Sequence, residues 1–181
     1  LRVGDRAAGE AAAGAGRRLM QIRRIPRGDR RAAAAFVDLP FRLNADAPQW
    51  APDGLYREQY RRMDPSQHPF YAHSEADFFV AEEGGRVVGR VAAIDNRRYN
   101  RHKDAAEVFF GYLELEDDPA IAVRLLDTVK EWADRRGLDT ISGPRGLLGF
   151  DGSVLVDGFE HRAVVAVPWN KPHYGPSVEA A

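Results

Sequence analysis

The junction between a predicted strand and the helix that follows it is the strongest candidate for a chemical site in this sequence. Asp118 stands where a helix N-cap belongs, and Pro119 suits the first helical position. The first backbone N–H groups of a helix have no partner within the helix, so they can bind a phosphate or a carboxylate. The pattern therefore indicates an anion site. An ordinary strand–helix unit packed into the core is the alternative, and the pattern alone leaves both open.

Residues 106–137 must position that junction. The segment 108–115 is almost continuously apolar and aromatic, which is typical of a strand buried on both faces and predicts the central strand of a sheet. Apolar residues then recur at helical spacing, and Gly137 ends the predicted helix; the recurring residues are Ile121, Leu125, Val129 and Trp132.

The rest of the chain alternates predicted strands, helices and loops. Pro40 is expected to break the first helix, and Gly84–Gly85 supplies the positive φ values of a tight hairpin. Together the elements predict a mixed α/β fold. Strands are predicted at 19–25, 77–83, 86–95, 139–143 and 163–168, helices at 29–43, 55–63 and from 177, and loops at 44–54, 64–76, 96–104 and 143–152.

Composition narrows the class of protein. The 181 residues suit one domain at 18–181, preceded by an Ala/Gly/Arg-rich tail at 1–17 that we expect to be disordered. The absence of cysteine excludes disulfides, thiolate metal sites and cysteine nucleophiles. With 26 basic and 27 acidic residues, no overall field attracts nucleic acid or an anionic membrane. We expect a cytoplasmic protein without a membrane or nucleic-acid partner, and its oligomeric state stays open.

Other reactive patterns are weak. The five histidines lack metal-ligand spacing, so no metal site is predicted, and neither a P-loop nor a Gly-x-Ser-x-Gly motif occurs. The basic segment 96–104 surrounds Tyr99 with arginines and could contact an anion or single-stranded nucleic acid, although a solvated loop is the more common role of such a segment.

Five stretches of the sequence together carry a resemblance to a known family: FVDLPFRL, APQWAP, HPFYAHSEADFFVAEEGGRVVGRVAAIDN, FFGYLELEDD and VDGF. They resemble the GNAT superfamily of acyl-CoA-dependent N-acyltransferases, and more closely a little-characterised bacterial branch of it. The resemblance covers residues 19–181 and implies a mixed central sheet with flanking helices. It also implies acetyl-CoA as the acyl donor, a small-molecule or peptide amine as the acceptor, and a chain that is incomplete at its C-terminus.

The resemblance places a coenzyme A site at the strand–helix junction. In the superfamily an Arg/Gln-x-x-Gly-x-Gly/Ala turn binds the pyrophosphate, and its Arg/Gln, first Gly and last Gly positions fall on Asp117, Ala120 and Ala122. Only Ala122 conforms, and the neighbouring acidic residues place negative charge beside the pyrophosphate. The cofactor-binding residues implied by the resemblance are Leu115, Asp117, Ala120, Ile121 and Ala122.

The resemblance also implies catalytic roles. A carboxylate on the central strand would act as the base for the attacking amine, with Glu114 preferred to Glu116, and a backbone N–H near Leu115 would bind the oxyanion. The usual tyrosine acid is replaced by Val178, so Tyr174 is the nearest substitute, although Gly175 and Pro176 favour a loop there.

The predicted function is therefore acyl-CoA-dependent N-acyl transfer, most often of acetyl. A catalytically silent GNAT-like binding or structural domain is the alternative, and a second domain that performs the chemistry is a third.

Overall fold

The computed structural model describes residues 19–149, 151–164 and 167–181. One sheet has the order β1-β2-β3-β4-β5, in which the first four strands are antiparallel and β5 runs parallel to β4. The strands are β1 Gln21–Arg24, β2 Glu75–Glu83, β3 Arg86–Asp95, β4 Glu107–Leu115 and β5 Thr140–Ser142. The helices are α1 Arg30–Leu43, α2 Tyr56–Met63, α3 Arg97–Lys103, α4 Pro119–Asp134 and α5 Tyr174–Glu179, with a 3₁₀ turn at Pro69–Ala72.

The sheet separates two hydrophobic cores, which confirms the predicted mixed α/β class. Successive β3 side chains alternate between them: Val91 and Ala93 pack with α4, whereas Ala92 and Ile94 pack with α1. The predicted hairpin between β2 and β3 is also present, with φ of 58° at Gly84 and 81° at Gly85.

Strand β4 was expected at the centre of the sheet, and this expectation is wrong by one position. β3 is central, because the short strand β5 adds only one further strand beyond β4. The pairing of β4 with β5 involves Glu107, Val108 and Phe109, and among the described residues no strand pairs with the second half of β4 on that side. This open half carries the candidate site.

The first helix continues through Pro40 rather than breaking there. Proline has no N–H, so the carbonyl of Phe36, four residues earlier, loses its usual helical partner. The guanidinium of Arg90 on β3 fills that position, since its Nη1 donates to the Phe36 oxygen at 2.8 Å. A contact from the sheet thereby satisfies the carbonyl that the proline leaves free.

Two further segments expected to be loops are helices. Asn96 caps α3 by accepting the N–H of Tyr99, and the helix ends at Lys103, followed by Asp104 as its C-cap with a φ of 51°. Pro176 falls within the first turn of α5, where backbone N–H groups have no intrahelical partner, so proline is tolerated.

Some predictions lie outside the described residues. The tail at 1–17 does so entirely, and its boundary with the domain stays a prediction. The predicted strand at 163–168 includes residues 165 and 166, which are also outside; residues 163, 164, 167 and 168 are not in a strand. Among the described residues, no helix combines the length and the apolar character needed to cross a membrane.

Candidate active site

The candidate site lies where β4 separates from β5. A β-bulge at this point gives Tyr112 a φ of 51° and shifts the register against β3. Gly111, next to it, has no room for a side chain, because a Cβ there would overlap the carbonyl oxygen of Arg145. The residues of β4 that follow the bulge are those that contact Tyr174.

The first residues of α5 close the open edge of β4. The Tyr174 hydroxyl donates to Oε2 of Glu114 at 2.6 Å and accepts the N–H of Leu115 at 3.2 Å. Nε2 of His173 lies 3.0 Å from the Leu115 carbonyl oxygen and donates to it. One phenol oxygen thus joins the two groups that were predicted as base and oxyanion donor.

Glu114 and Arg90 form a loose buried ion pair. Their side chains are 16% and 6% exposed, and Nη2 of Arg90 lies 3.7 Å from Oε1 of Glu114. The Arg90 guanidinium also lies 4.6 Å from the ring centre of Phe36, and its buried Nε has no hydrogen-bond partner among the described residues. The charge of Glu114 is therefore only partly compensated.

Burial dominates the acid–base chemistry of the cluster. It raises the pKa of Glu114, although Arg90 and the Tyr174 hydroxyl act in the opposite direction. Burial and the Glu114 carboxylate also raise the pKa of Tyr174 well above 10. Tyr174 is therefore a protonated donor at neutral pH, and Glu114 is a carboxyl shifted toward the range that suits a general base.

The remaining predicted residues lie at the N-terminus of α4. The N–H groups of Ala120 and Ile121 both donate to Asp118, to its side chain at 2.9 Å and to its carbonyl oxygen at 3.0 Å. Ile121 and Ala122 direct their side chains into the core, while Asp117 is exposed. The helix dipole at this end favours an anion, whereas the two aspartates oppose one.

The structure thus brings Glu114, Leu115 and Tyr174 together and places Asp117, Ala120, Ile121 and Ala122 on the adjoining turn. Sequence reasoning missed Arg90 and His173. The signal for Arg90 was available, because it is the one charged residue in the otherwise uncharged stretch 87–94. His173 gave no such signal, since its contact with β4 spans 58 residues of sequence.

The basic segment 96–104 does not present its aromatic residue to a ligand. Tyr99 packs edge-on against Phe109 at 4.9 Å between ring centres, and Arg97 pairs with Glu75 and Asp95. The segment is thus a structural helix, with Tyr99 turned toward the core. Within the described ranges no three histidine, aspartate or glutamate side chains group as metal ligands would.

The sheet, its open strand edge and the helix that starts beside it are the GNAT acyl-CoA N-acyltransferase fold. The fold matches a tandem GNAT protein from the clavulanic acid biosynthesis pathway, solved without acetyl-CoA. The TM-score is 0.50, at 19% identity over 68% of this chain and 35% of that one.

Two curated proteins are similar in sequence. One is a bacterial ceramide synthase of Caulobacter vibrioides, 34% identical over 146 residues, and the other is protein YghO of Escherichia coli, 30% identical over 148 residues. Both matches cover 80% of this chain, but the chain spans only 38% and 37% of the length of these relatives. No family model matches the chain.

Proposed function

We propose that this chain is an acyl-CoA-dependent N-acyltransferase domain, with acetyl as the first acyl group to test and an amine as the acceptor. The observation that carries the proposal is the Tyr174 hydroxyl, which is held between the Glu114 carboxylate and the Leu115 N–H at the open end of β4. A base, an acid and an oxyanion donor thereby meet within one hydrogen-bonded group, beside a helix N-terminus suited to an anionic donor molecule.

In the proposed reaction the neutral amine attacks the thioester carbonyl carbon. Glu114 accepts the proton that the amine loses, and the Leu115 N–H stabilises the negative oxygen of the tetrahedral intermediate. In the structure the Leu115 N–H donates to the Tyr174 hydroxyl. The thioester oxygen must therefore displace this hydroxyl before the N–H can bind it. Collapse breaks the carbon–sulfur bond and forms the amide, and Tyr174 gives its proton to the departing thiolate. Tyr174 then takes the proton that Glu114 accepted from the amine, across the hydrogen bond that joins them, so both groups return to their starting state.

The identity of the acceptor is proposed from the relatives. A ceramide is an amide of a long-chain amino alcohol, so the name of the Caulobacter vibrioides relative describes the product of an N-acylation. A long-chain amino alcohol is therefore the first acceptor to test with this chain, and a short primary amine is the comparison.

Thermal unfolding with and without acetyl-CoA tests the donor site. Ligand at a hundred times its Kd adds about 2.7 kcal/mol, which should raise the midpoint by roughly 5 to 10 °C for a chain of this size. Free coenzyme A should reproduce the shift and inorganic phosphate should not. No shift at millimolar acetyl-CoA would contradict the proposal.

The Asp117→Asn variant tests whether acetyl-CoA binds at the N-terminus of α4. Asp117 is exposed and makes no helix cap, so removing its charge should leave the fold intact. A negative charge at a helix N-terminus changes the binding of an anion by about 0.3 to 1 kcal/mol, so we expect acetyl-CoA to bind about 2- to 5-fold more tightly. Calorimetric titration measures this, and Asp127→Asn, farther along α4, is the matched control.

A binding module without catalysis is the second candidate. It is favoured by the N–H groups of Ala120 and Ile121, which are already bonded to Asp118, and by the acidic turn beside them. If acetyl-CoA fails to stabilise both the natural chain and the Asp117→Asn variant, this second function replaces the first.

A further inference from the structure

A cavity of about 310 Å³ lies at the opposite end of α1 from its contact with Glu116. The turn between β1 and α1 forms one wall, α2 forms another, and β2 closes the base. Its volume is at the lower end of small-molecule pockets, which run from about 300 to 1,000 Å³. None of the residues proposed for acyl transfer lines it.

The base of the cavity is apolar. Ile25, Ala33, Met63 and Phe78 line it, and each of them is at most 7% exposed. All four belong to the core on the α1 face of the sheet, so the base is a fixed part of the packed structure. Such a surface favours the hydrocarbon or aromatic body of a ligand.

The rim of the cavity carries both arginines and aspartates: Arg27, Arg30, Arg57 and Arg61, with Asp29, Asp64 and Asp77. Three of the arginines already have carboxylate partners, because Arg27 pairs with Asp77 and Glu75, and both Arg57 and Arg61 pair with Glu58. The aspartates are engaged as well: Asp29 caps α1, Asp64 binds Ser66 and Gln67, and Asp77 also binds Trp132 and Arg24. The charge at the rim that is left for a ligand is therefore that of Arg30.

Arg30 is the rim residue best placed to bind a ligand. Its guanidinium lies 5.0 Å from the ring centre of Tyr60, and no carboxylate in the described part of the chain pairs with it. Arg30 and Arg31 also occupy the first turn of α1, which contains no acidic residue. Cations are unfavourable at the positive end of a helix dipole, so an anion bound in the cavity would be stabilised by both the helix and Arg30, the one of the two that lines it.

The cavity is separated from the candidate active site by aromatic packing. Phe78 at its base packs edge-on against Phe36, with 5.2 Å between ring centres. On the far side of Phe36 lies the Arg90 guanidinium, which pairs with Glu114. A ligand in the cavity would therefore bind apart from the groups that transfer the acyl chain.

We propose that this cavity is a second ligand site, which binds a small organic acid with an apolar body. The apolar part occupies the base formed by Ile25, Ala33, Met63 and Phe78, and the acid group pairs with Arg30 at the mouth. The proposal does not depend on the acyltransferase function, because it uses the N-terminal end of α1 and different residues.

Titration of the ¹⁵N-labelled full chain with octanoate, followed by amide NMR, tests this proposal. We expect saturable shifts at the amides of Gly28, Arg30 and Ala33, with a Kd of about 1 mM or below, and none at Leu115. Octanol, which has the same body without the charge, should bind at least tenfold more weakly.

A matched pair of variants separates the pocket from general electrostatics. Arg30→Gln should weaken octanoate binding at least fivefold, whereas Arg31→Gln, the next residue in the same helical turn, does not line the cavity and should leave it unchanged. Equal binding of octanol, equal effects of the two substitutions, or shifts confined to Leu115 and its neighbours would each overturn the proposal. Absence of saturable shifts in the natural chain would overturn it as well.

Discussion

Two glutamates, two residues apart, have opposite environments. The carboxylate of Glu114 lies in a cluster with Arg90 and Tyr174, and burial raises its pKa. Glu116 lies on the surface, where Arg86 and Arg42 donate to its carboxylate at 2.7 and 2.9 Å. Burial acts to raise the pKa of Glu116 too, but these hydrogen bonds outweigh it and leave the pKa below its usual value. Residue type and spacing alone therefore do not determine which of the two glutamates is better suited to act as a base.

The difference arises from the elements that pack against each side chain. Glu114 is reached by β3 and by the start of α5, which supply one cation at 3.7 Å and one hydroxyl and enclose the carboxylate. Glu116 is reached by arginines from the end of α1 and the start of β3 that remain exposed. A carboxylate that already has two close cations has little tendency to accept a proton, so Glu114 is the better candidate for a base.

The largest effect is expected for catalysis. Glu114→Gln keeps the shape of the side chain but removes the proton acceptor, so the rate should fall by about 10² to 10⁴. Glu116→Gln should stay within about threefold of the natural rate, since it loses only surface ion pairs. Thiol release from acetyl-CoA, with any amine that the natural chain accepts, measures both. Similar losses in the two variants would remove Glu114 from the mechanism.

The next effect concerns the arginine partners. Arg90→Met leaves Glu114 buried without a cation and Phe36 without a donor for its carbonyl, so unfolding should become easier by about 3 to 5 kcal/mol. Arg86→Met breaks only an exposed pair and should cost about 0 to 1 kcal/mol. Urea unfolding compares them. The double variant Arg90→Met/Glu114→Gln should recover part of the loss; without such recovery, Arg90 does not act through Glu114.

A smaller effect on stability is expected when the Tyr174 hydroxyl, which bonds both Glu114 and Leu115, is removed. Tyr174→Phe removes the donor to Glu114 and the acceptor of the Leu115 N–H, both of them buried, and should cost about 1 to 3 kcal/mol. The hydroxyl of Tyr56 is on an exposed residue, so Tyr56→Phe should stay within about 0.5 kcal/mol. Equal unfolding midpoints for the two variants would mean that the Tyr174 bonds add no stability.

The smallest effect is a difference in pH dependence. Because folding raises the pKa of Glu114, its stabilising contribution is present below its ordinary value of 4.5 and is lost as the pH rises through the folded pKa. Folding lowers the pKa of Glu116, so its contribution is present above 4.5 and is lost as the pH falls through the folded pKa.

Urea unfolding from about pH 3 to pH 8 measures this contrast in the natural chain and the two Gln variants. The stability of the natural chain relative to Glu114→Gln should decrease with rising pH, and that relative to Glu116→Gln should increase. If both stability differences changed with pH in the same direction, the environments of Glu114 and Glu116 would not differ as described.

Local patterns predicted much of the fold. The apolar run of β4, the Asp118 cap and the helical spacing of α4 are interactions between near neighbours in the chain, so they can be read directly from residue order. Helix α3 was missed although Asn96 is a good N-cap, because the arginine-rich composition of the segment suggested a loop. The continuity of α1 through Pro40 could not be anticipated, since the compensating contact comes from β3.

The sequence by itself determined the mixed α/β class and the strand–helix junction, and its resemblance to the GNAT superfamily suggested Glu114 and Tyr174 as candidates. Only the tertiary structure decided that these two side chains meet, that Arg90 lies beside them, and that Glu116 rather than Glu114 is held by two close, exposed arginines. The physical reason is distance along the chain. Tyr174 and Glu114 are 60 residues apart, and the pKa of a carboxyl depends on which distant groups exclude water from it and which donate to it.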